Sequence, residues 1–533
     1  MIARRGTQHR RLADNGRSRL RHVMIAFATL LTLVSCAQNP VTGERELGLV
    51  GTGQEVAIGA EQYAPTQQMQ GGPYRLDPEL QDYVSRVGQR LAAVSDRDLP
   101  YEFVVLNSSV PNAWALPGGK MAINRGLLSE LDSEAELAAV LGHEIVHAAA
   151  RHGAQAMERG MLTQGALVAA SIGLSASGTE YADYALGAAQ IGAQLVTQKY
   201  GRDAEREADR YGMIYMDRAG YDPAAAVDLQ ETFVRLSEGR KQNWLQGLFA
   251  SHPPSRERVE TNRAFAAELG SGGEIGRDRY RQATAALRAR QPGYEAAAEG
   301  REALAAKNWD RALAKGREAL QVEPAEARFH ALVGDAHFGA GRHRQALEAY
   351  DRAVEQDDGY YAHWQSRGLA NLALDRQDAA RRDLEQATSL LPTAASMNAL
   401  GMIALDEGRA DRARDYFSSA AGSETDAGRR ARTALARLDL PREPQRYLPV
   451  RWGVDKRGSL IAEIRNQAPL DVKGLVLEIA VRNPDGEVER HRVSLDGTLA
   501  AGSGTRVTTR VRLAADTARE AVAARVVRAR VAN

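Results

Sequence analysis

Between residues 300 and 420 the chain repeats itself every 34 residues. Gly300, Gly334 and Gly368 stand one period apart, as do Ala312, Ala346 and Ala380, and again Ala319, Ala353 and Ala387. Pro324 and Pro392 are two periods apart with Asp358 at the place between them. A fourth copy begins one residue early with Gly401, Ala413, Phe417 and Ala420. A unit of this length cannot bury an apolar face alone, so successive copies must stack. Small residues at fixed offsets let two antiparallel helices approach closely, and proline closes the second helix. The period predicts a solenoid of helix pairs over residues 277–438, since an alanine-rich bundle would need no fixed repeat.

A 34-residue unit of this kind is similar to the tetratricopeptide repeat, whose stacked helices present a concave surface suited to peptides. At 533 residues the chain needs further domains on either side. Upstream, Gly270-Ser271-Gly272-Gly273 reads as a joint that closes a first region, 36–270. That region holds a strand-like segment, Tyr101–Leu106, a turn-rich stretch, Asn107–Gly119, and a second strand-like piece, Lys120–Asn124. Downstream, over 445–533, Leu460–Ile464, Leu475–Val481, Val488–Leu495 and Val507–Leu513 alternate apolar and polar residues. Asn483-Pro484-Asp485-Gly486 supplies a turn among them, so a small β-sandwich is expected. Hydrophobic content of 44% with 26% charged residues excludes a disordered chain and a polytopic membrane protein as defaults.

The first 35 residues read as an address. Seven arginines face the single Asp14, and the apolar run Val23–Val34 that follows is too short to span a bilayer. It closes on Leu33-Val34-Ser35-Cys36, small residues before the only cysteine in the chain. This resembles the bacterial lipobox, which implies a signal peptide over 1–35 and lipidation of Cys36. Ala37 after the cysteine resembles outer-membrane sorting. One cysteine excludes an intramolecular disulfide. With +6 in the leader and +1 overall, about −5 remains on the rest, so charge gives no reason to expect nucleic-acid binding.

Chemistry concentrates in Ser133–His152. Ser133 with Glu136 makes a capping box, and Leu137, Val140, Leu141 and Ile145 follow with helical spacing. Inside lies His143-Glu144-Ile145-Val146-His147. Histidines four apart share a helix face about 6 Å apart, which suits two imidazoles closing on one zinc. Glu144 then lies beside the open coordination position as a general base. Glu205-Arg206-Glu207-Ala208-Asp209 offers a third ligand on another helix. Glu205 can bind the metal, Asp209 one turn on can accept the spare N–H of a ligand histidine, and Glu207 is the weaker candidate.

His-Glu-x-x-His followed by Glu-x-x-Ala-Asp resembles the zinc metallopeptidase family of HtpX and the CAAX-prenyl proteases, peptidase family M48. Asn39-Pro40-Val41-Thr42-Gly43, Asn112–Gly119, Arg151-His152 and Ser251-His252-Pro253 with Arg258 extend the likeness over about residues 37–265. The resemblance implies His143, His147 and Glu205 as ligands of one Zn2+ per chain, Glu144 as base and Asp209 as their support. It implies Arg258 as a donor to the oxyanion. His252 stays open among an oxyanion donor, a zinc ligand in the water position that holds the enzyme latent, and a helix cap. Lys120–Asn124 is expected as an edge strand along the cleft, to which an extended substrate would add. Met161–Ala176, apolar and rich in Ala and Gly, is too short and interrupted to span a membrane. It reads as a buried helix or lid, and prenyl-protease activity is not expected.

The reading is a multidomain, mainly α chain: a zincin-like α+β metalloprotease domain, a tetratricopeptide-type α-solenoid and a C-terminal β-sandwich. Its expected work is zinc-dependent endopeptidase cleavage of unfolded, misfolded or stalled proteins on the periplasmic face of the outer membrane. The repeats would hold substrate or dock on outer-membrane assembly machinery, and the lipid anchor would hold the membrane. His330, His337, His343 and His363 in the repeats lack ligand spacing. The rival reading is an envelope chaperone or scaffold with a latent metal site.

Overall fold

The computed structural model describes residues 36–171, 200–239, 252–253, 255–270, 272–483, 486–513 and 519–532. The expected signal peptide, residues 172–176 of the apolar stretch, Ser251, Ser271 and the Pro484-Asp485 turn lie outside them. The chain divides into two compact units.

The first unit opens with a two-stranded ribbon, β1 (Cys36–Gln38) and β2 (Arg45–Leu47), followed by α1 (Thr52–Met69) and α2 (Pro78–Ala92). Strands β3 (Glu102–Leu106), β4 (Ala113–Leu116) and β5 (Lys120–Asn124) form one sheet in the order β3-β5-β4. Lys120–Asn124 is therefore the central strand, parallel to β3 and antiparallel to β4, and the expectation of an edge strand there is corrected. The Pro117-Gly118-Gly119 turn folds β4 outward, with both glycines at positive φ, so Ala113–Leu116 carries the free edge.

Helix α3 (Glu134–Ala149) starts where the capping pattern predicts. Ser133 Oγ accepts the Glu136 N–H at 3.1 Å, and the Glu136 carboxylate accepts the Asp132 N–H at 2.7 Å. It lies against the sheet with Leu137, Leu141 and Ile145 buried. The chain continues through α4 (His152–Ser171), α5 (Arg202–Arg218), α6 (Ala224–Gly239) and α7 (Arg256–Leu269). No described helix is long and apolar enough to cross a membrane.

Helices α8 (Arg277–Ala283) and α9 (Ala285–Ala305) were expected as the start of the solenoid, but residues up to 302 belong to the first unit. The Tyr280 hydroxyl donates to the Leu128 carbonyl at 2.6 Å and Arg288 to the Leu131 carbonyl at 2.6 Å, which fastens them there. Residues 314–326 join the same unit; buried Glu326 accepts from Asn107 and Tyr294.

The second unit stacks α10 (Trp309–Val322) at its first residues, then α11 (Ala327–Gly339), α12 (His343–Gln356), α13 (Tyr361–Ala373) and α14 (Gln377–Leu390). It goes on through α15 (Ala394–Asp406), α16 (Ala410–Ala421) and α17 (Asp426–Asp439). The repeat offsets are packing positions. A Cβ on Gly334 would sit 2.5 Å from the Tyr350 ring, one on Gly368 2.8 Å from Leu384, and one on Gly401 2.6 Å from Phe417. Ala346, Ala380, Ala413, Ala353, Ala387 and Ala420 are fully buried between the same helices.

The unit ends in two three-stranded sheets, β10-β7-β6 and β11-β8-β9. Their strands are β6 (Val450–Val454), β7 (Ser459–Arg465), β8 (Val472–Arg482), β9 (Val488–Leu499), β10 (Gly504–Arg512) and β11 (Val522–Val531). Leu460, Ala462 and Ile464 of one sheet share a core with Leu475, Leu477 and Val526 of the other, which makes a sandwich. Ala436 and Leu440 join this core, so the last repeat helix and the sandwich pack as one body.

Gly334→Ala forces a methyl into the Tyr350 ring. Overpacking of about 1–3 kcal/mol outweighs the ~1 kcal/mol that alanine gains in a helix. The midpoint of the thermal transition reporting the repeats falls, while Gly422→Ser, exposed, at an ordinary φ of −69° and with open space around it, leaves it within a degree or so.

Candidate active site

The two helices that carry the site cross where neither has a side chain. A Cβ on Gly142 of α3 would lie 3.2 Å from the Gly212 carbonyl, and one on Gly212 of α5 3.1 Å from the His143 nitrogen. Backbone contact at this point brings the 143–147 turn of α3 against the 205–209 turn of α5. Four donor atoms then converge: a nitrogen each from His143, His147 and His252 and a Glu205 carboxylate oxygen lie within 4.8 Å of one another.

The individual separations are 3.1 Å from His143 Nε2 to His147 Nε2 and 3.3 Å from His143 Nε2 to His252 Nδ1. Glu205 Oε1 lies 3.5 Å from His147 Nε2 and 2.8 Å from His252 Nδ1, and Oε2 lies 3.7 Å from His143 Nε2. Four ligands held ~2.0–2.1 Å from one zinc in a tetrahedron are about 3.3–3.4 Å apart, so the set fits that ion. Glu205 Oε2 is buried without a hydrogen bond, although Arg258 Nη1 stands 3.0 Å away as an ion-pair partner. Electrostatics agree. Burial pushes His147 well below its usual range, leaving the neutral imidazole a metal needs. Burial works against a charged His252, yet the Glu205 and Glu144 carboxylates draw its pKa up overall, so the centre calls for positive charge. Burial works to raise Glu205 too, but the His252, His147 and His143 rings hold it far below the carboxylate range.

Around these donors the rings are fixed from behind. His143 Nδ1 stands 3.0 Å from Asp209 Oδ1. Asp209 is clamped by Arg258, whose Nε and Nη2 donate to its two oxygens at 2.8 and 2.7 Å, and by Asn262 at 3.1 Å. Burial would raise the Asp209 carboxyl, but His143 and Arg258 hold it well below its usual range. Arg258 Nη1 reaches Glu205 and the Pro253 carbonyl, so every nitrogen of the guanidinium expected at the oxyanion has a partner.

On the other side, His147 Nδ1 meets His152 Nδ1 at 2.8 Å, and His152 Nε2 lies 3.5 Å from Glu207 Oε1. Asn39 donates to Glu207 at 3.1 Å and to Glu46 at 2.7 Å. With Nε2 of His147 on the metal side, its proton sits on Nδ1 and the proton of His152 on Nε2, facing Glu207. Glu207, the weaker ligand candidate, lies behind His147. Glu144 is buried, its carboxyl raised by that burial against the opposing charges of His252 and His143, and the Ala115 backbone of β4 bonds to it. Its Oε1 is 3.6 Å from His252 Nε2.

Tyr200 and Asn262 escaped the sequence reading. Tyr200 stacks on the His147 ring with centroids 4.0 Å apart, and precedes its helix, where no periodicity marks it. Asn262 could have been found as the residue one turn after Arg258. The Cys36 side chain lies outside what is described, while its backbone pairs in β1.

A His-Glu-x-x-His helix with a downstream glutamate on a second helix, over a small mixed sheet, defines a metallopeptidase fold. The model of peptidase family M48 matches residues 78–265, and a tetratricopeptide-repeat model matches 303–368. The chain is similar to a putative beta-barrel assembly-enhancing protease of Vibrio cholerae, 33% identical over 197 residues, which are 36% of this chain and 40% of that one. It is similar to the mitochondrial metalloendopeptidase OMA1 of Schizosaccharomyces pombe, 38% identical over 181 residues, 33% of this chain and 50% of that one. With metalloprotease YcaL of Escherichia coli it shares 32% identity over 185 residues, 33% of this chain and 68% of that one. The chain belongs to peptidase family M48. It spans half or less of the length of the first two relatives.

His152→Ala removes the partner of His147 Nδ1 without touching a donor atom of the metal cluster. Metal affinity, read by chelator competition, falls by about 10–100-fold. His152→Asn, which keeps an acceptor near that nitrogen, recovers part of it.

Proposed function

We propose that the chain is a zinc-dependent endopeptidase of the bacterial cell envelope, acting on misfolded or stalled envelope proteins with one zinc per chain. The observation that carries this is the convergence of His143, His147 and Glu205 on one point with buried Glu144 beside it. A structural zinc has no use for a base at that position. The lipobox-like Cys36 and relatives named for β-barrel assembly support the envelope and an outer-membrane anchor.

Zinc held there would supply Lewis-acid polarisation of the attacking water and the scissile carbonyl. Glu144 takes the proton of that water and passes it to the leaving nitrogen, a double task that a pKa raised by burial suits. Asp209 and His152 hold the ligand histidines in the tautomer that turns Nε2 inward. Arg258 acts as a positioning residue for Asp209 and Glu205, in place of the oxyanion donor first expected. An extended substrate segment adds to the free edge of β4, next to the base. Val140, Met216, Leu229 and Phe233 line a pocket opening on His143 and Glu144, which fits an apolar side chain beside the cleaved bond. The repeats hold the substrate or an assembly partner.

His252 favours a second reading in which the site is latent and the chain serves as a scaffold. Its Nδ1 takes the fourth corner of the donor set, where the water would stand. Latency then yields when His252 moves away.

Glu144→Gln keeps about one zinc per chain by mass spectrometry and lowers cleavage of an unfolded protein by ~10²–10⁴-fold, whereas Glu205→Ala loses the metal. Zinc retained undiminished without Glu205 would sink the assigned site, and envelope quality control intact in Glu144→Gln cells would favour the scaffold. His252→Ala frees the fourth corner and raises basal cleavage by about tenfold, equivalent to ~1.4 kcal/mol of closure. An unchanged or lower rate would return His252 to a role in binding substrate.

A further inference from the structure

Charge is segregated along the chain. Residues 445–533 hold 16 basic and 10 acidic side chains, net +6, while residues 36–444 sum to −11. Within the sandwich, Leu475, Leu477 and Ile479 of β8 point into the core, so Val476, Glu478, Ala480 and Arg482 point out. Register sets Arg490 beside Ala480 and Arg492 beside Glu478 on β9, with Arg525 opposite Glu478 and Arg528 opposite Val476 on β11. Arg530 follows on the same face. Glu478 lies at the centre of these positions, with exposed Asp496 at the far end of β9, and it is consumed: Arg492 and Arg525 each reach it at 3.0 Å and cover it to 6% exposure while staying 70% and 63% exposed themselves. Arg482, Arg490, Arg528 and Arg530 have no ion-pair partner among the described residues.

We propose that this outer sheet face is a docking surface for an anionic phospholipid bilayer. Six guanidiniums on a three-stranded sheet, spaced by about 4.8 Å between strands, present forked donors that match phosphate oxygens over a plane. The side chains between them are small, Val476, Ala480, Ser494 and Ala523, so the face lacks the buried aromatic anchors a protein partner would use. It also lacks the aromatic platforms that stack nucleic-acid bases. The inference stands apart from the peptidase reading, since it uses none of the metal-site residues.

The test is sedimentation of the chain from Ala37 onward with vesicles of phosphatidylethanolamine and phosphatidylglycerol, against vesicles of phosphatidylcholine alone. At about 50 mM salt the chain binds the anionic vesicles and ~0.5 M salt releases it, since screening removes the attraction. Each arginine near an anionic surface contributes roughly fivefold. The variant R490Q/R492Q/R528Q/R530Q therefore binds at least about 50-fold more weakly. The matched variant R451Q/R506Q/R510Q/R512Q, on the other sheet, stays within about threefold. A thermal melt of each variant checks folding, and single Gln substitutions serve should the fourfold set unfold. Equal retention on phosphatidylcholine, equal loss in both fourfold variants, or tighter binding to duplex DNA than to the anionic vesicles would each overturn the proposal.

Discussion

The metal centre rests on a contact between two backbones. Helices carrying ordinary side chains pack 8–10 Å apart, the spacing being set by the side chains at the contact. Gly142 and Gly212 remove that spacing at one crossing, with the His143 nitrogen 3.1 Å from where a Gly212 Cβ would stand. His143 and Glu205 lie one residue after and seven before those glycines. The ligands are therefore set by the crossing and the helix pitch together.

What the crossing brings together is electrically demanding. Three carboxylates, Glu144, Glu205 and Asp209, are buried within one small volume, and buried charge is costly unless paired. Arg258 answers two of them from α7, with two nitrogens on Asp209 and one on Glu205. The remaining demand falls on the centre itself, where it raises His252 between Glu205 and Glu144. A dication at the same point meets the same need, and this explains how one arrangement can read both as a zinc site and as a site closed by His252.

Much of this was legible because it is local. The spacing of His143 to His147 and of Glu205 to Asp209 encodes helix faces directly, and the 34-residue period marks Gly334, Ala346 and Ala353 as packing positions, though not the Tyr350 ring that Gly334 meets. What was not legible depends on pairing across the chain. Lys120–Asn124 reads as a strand, but Ala113–Leu116 lies in a stretch expected to be turns, and it becomes the edge strand because Glu102–Leu106 runs parallel on the far side of Lys120–Asn124. Arg277–Ala305 has helix-pair character by sequence, yet the Tyr280 and Arg288 bonds to the 128–131 turn claim most of it for the first unit. Arg258 could be drawn toward an oxyanion or toward Asp209 until its partners were seen.

The Arg151-His152 pair shows why a short motif can need both residues. Arg151 sits at φ 63°, a left-handed conformation that costs a non-glycine residue about 1–3 kcal/mol. The cost is offset by its buried guanidinium, which donates to Glu55 at 2.7 Å and to the Val50 carbonyl at 2.6 Å. That reversal is what turns the chain sharply enough for His152, only five residues after His147, to stand behind its ring instead of following it around the helix. Glycine would adopt the same turn more cheaply, but it would leave Glu55 and Glu158 as buried carboxylates without this partner. Strain at one residue thus places the support of the His147 ring, and the ion pairs that sustain the strain tie it to the chain just after the β1–β2 ribbon.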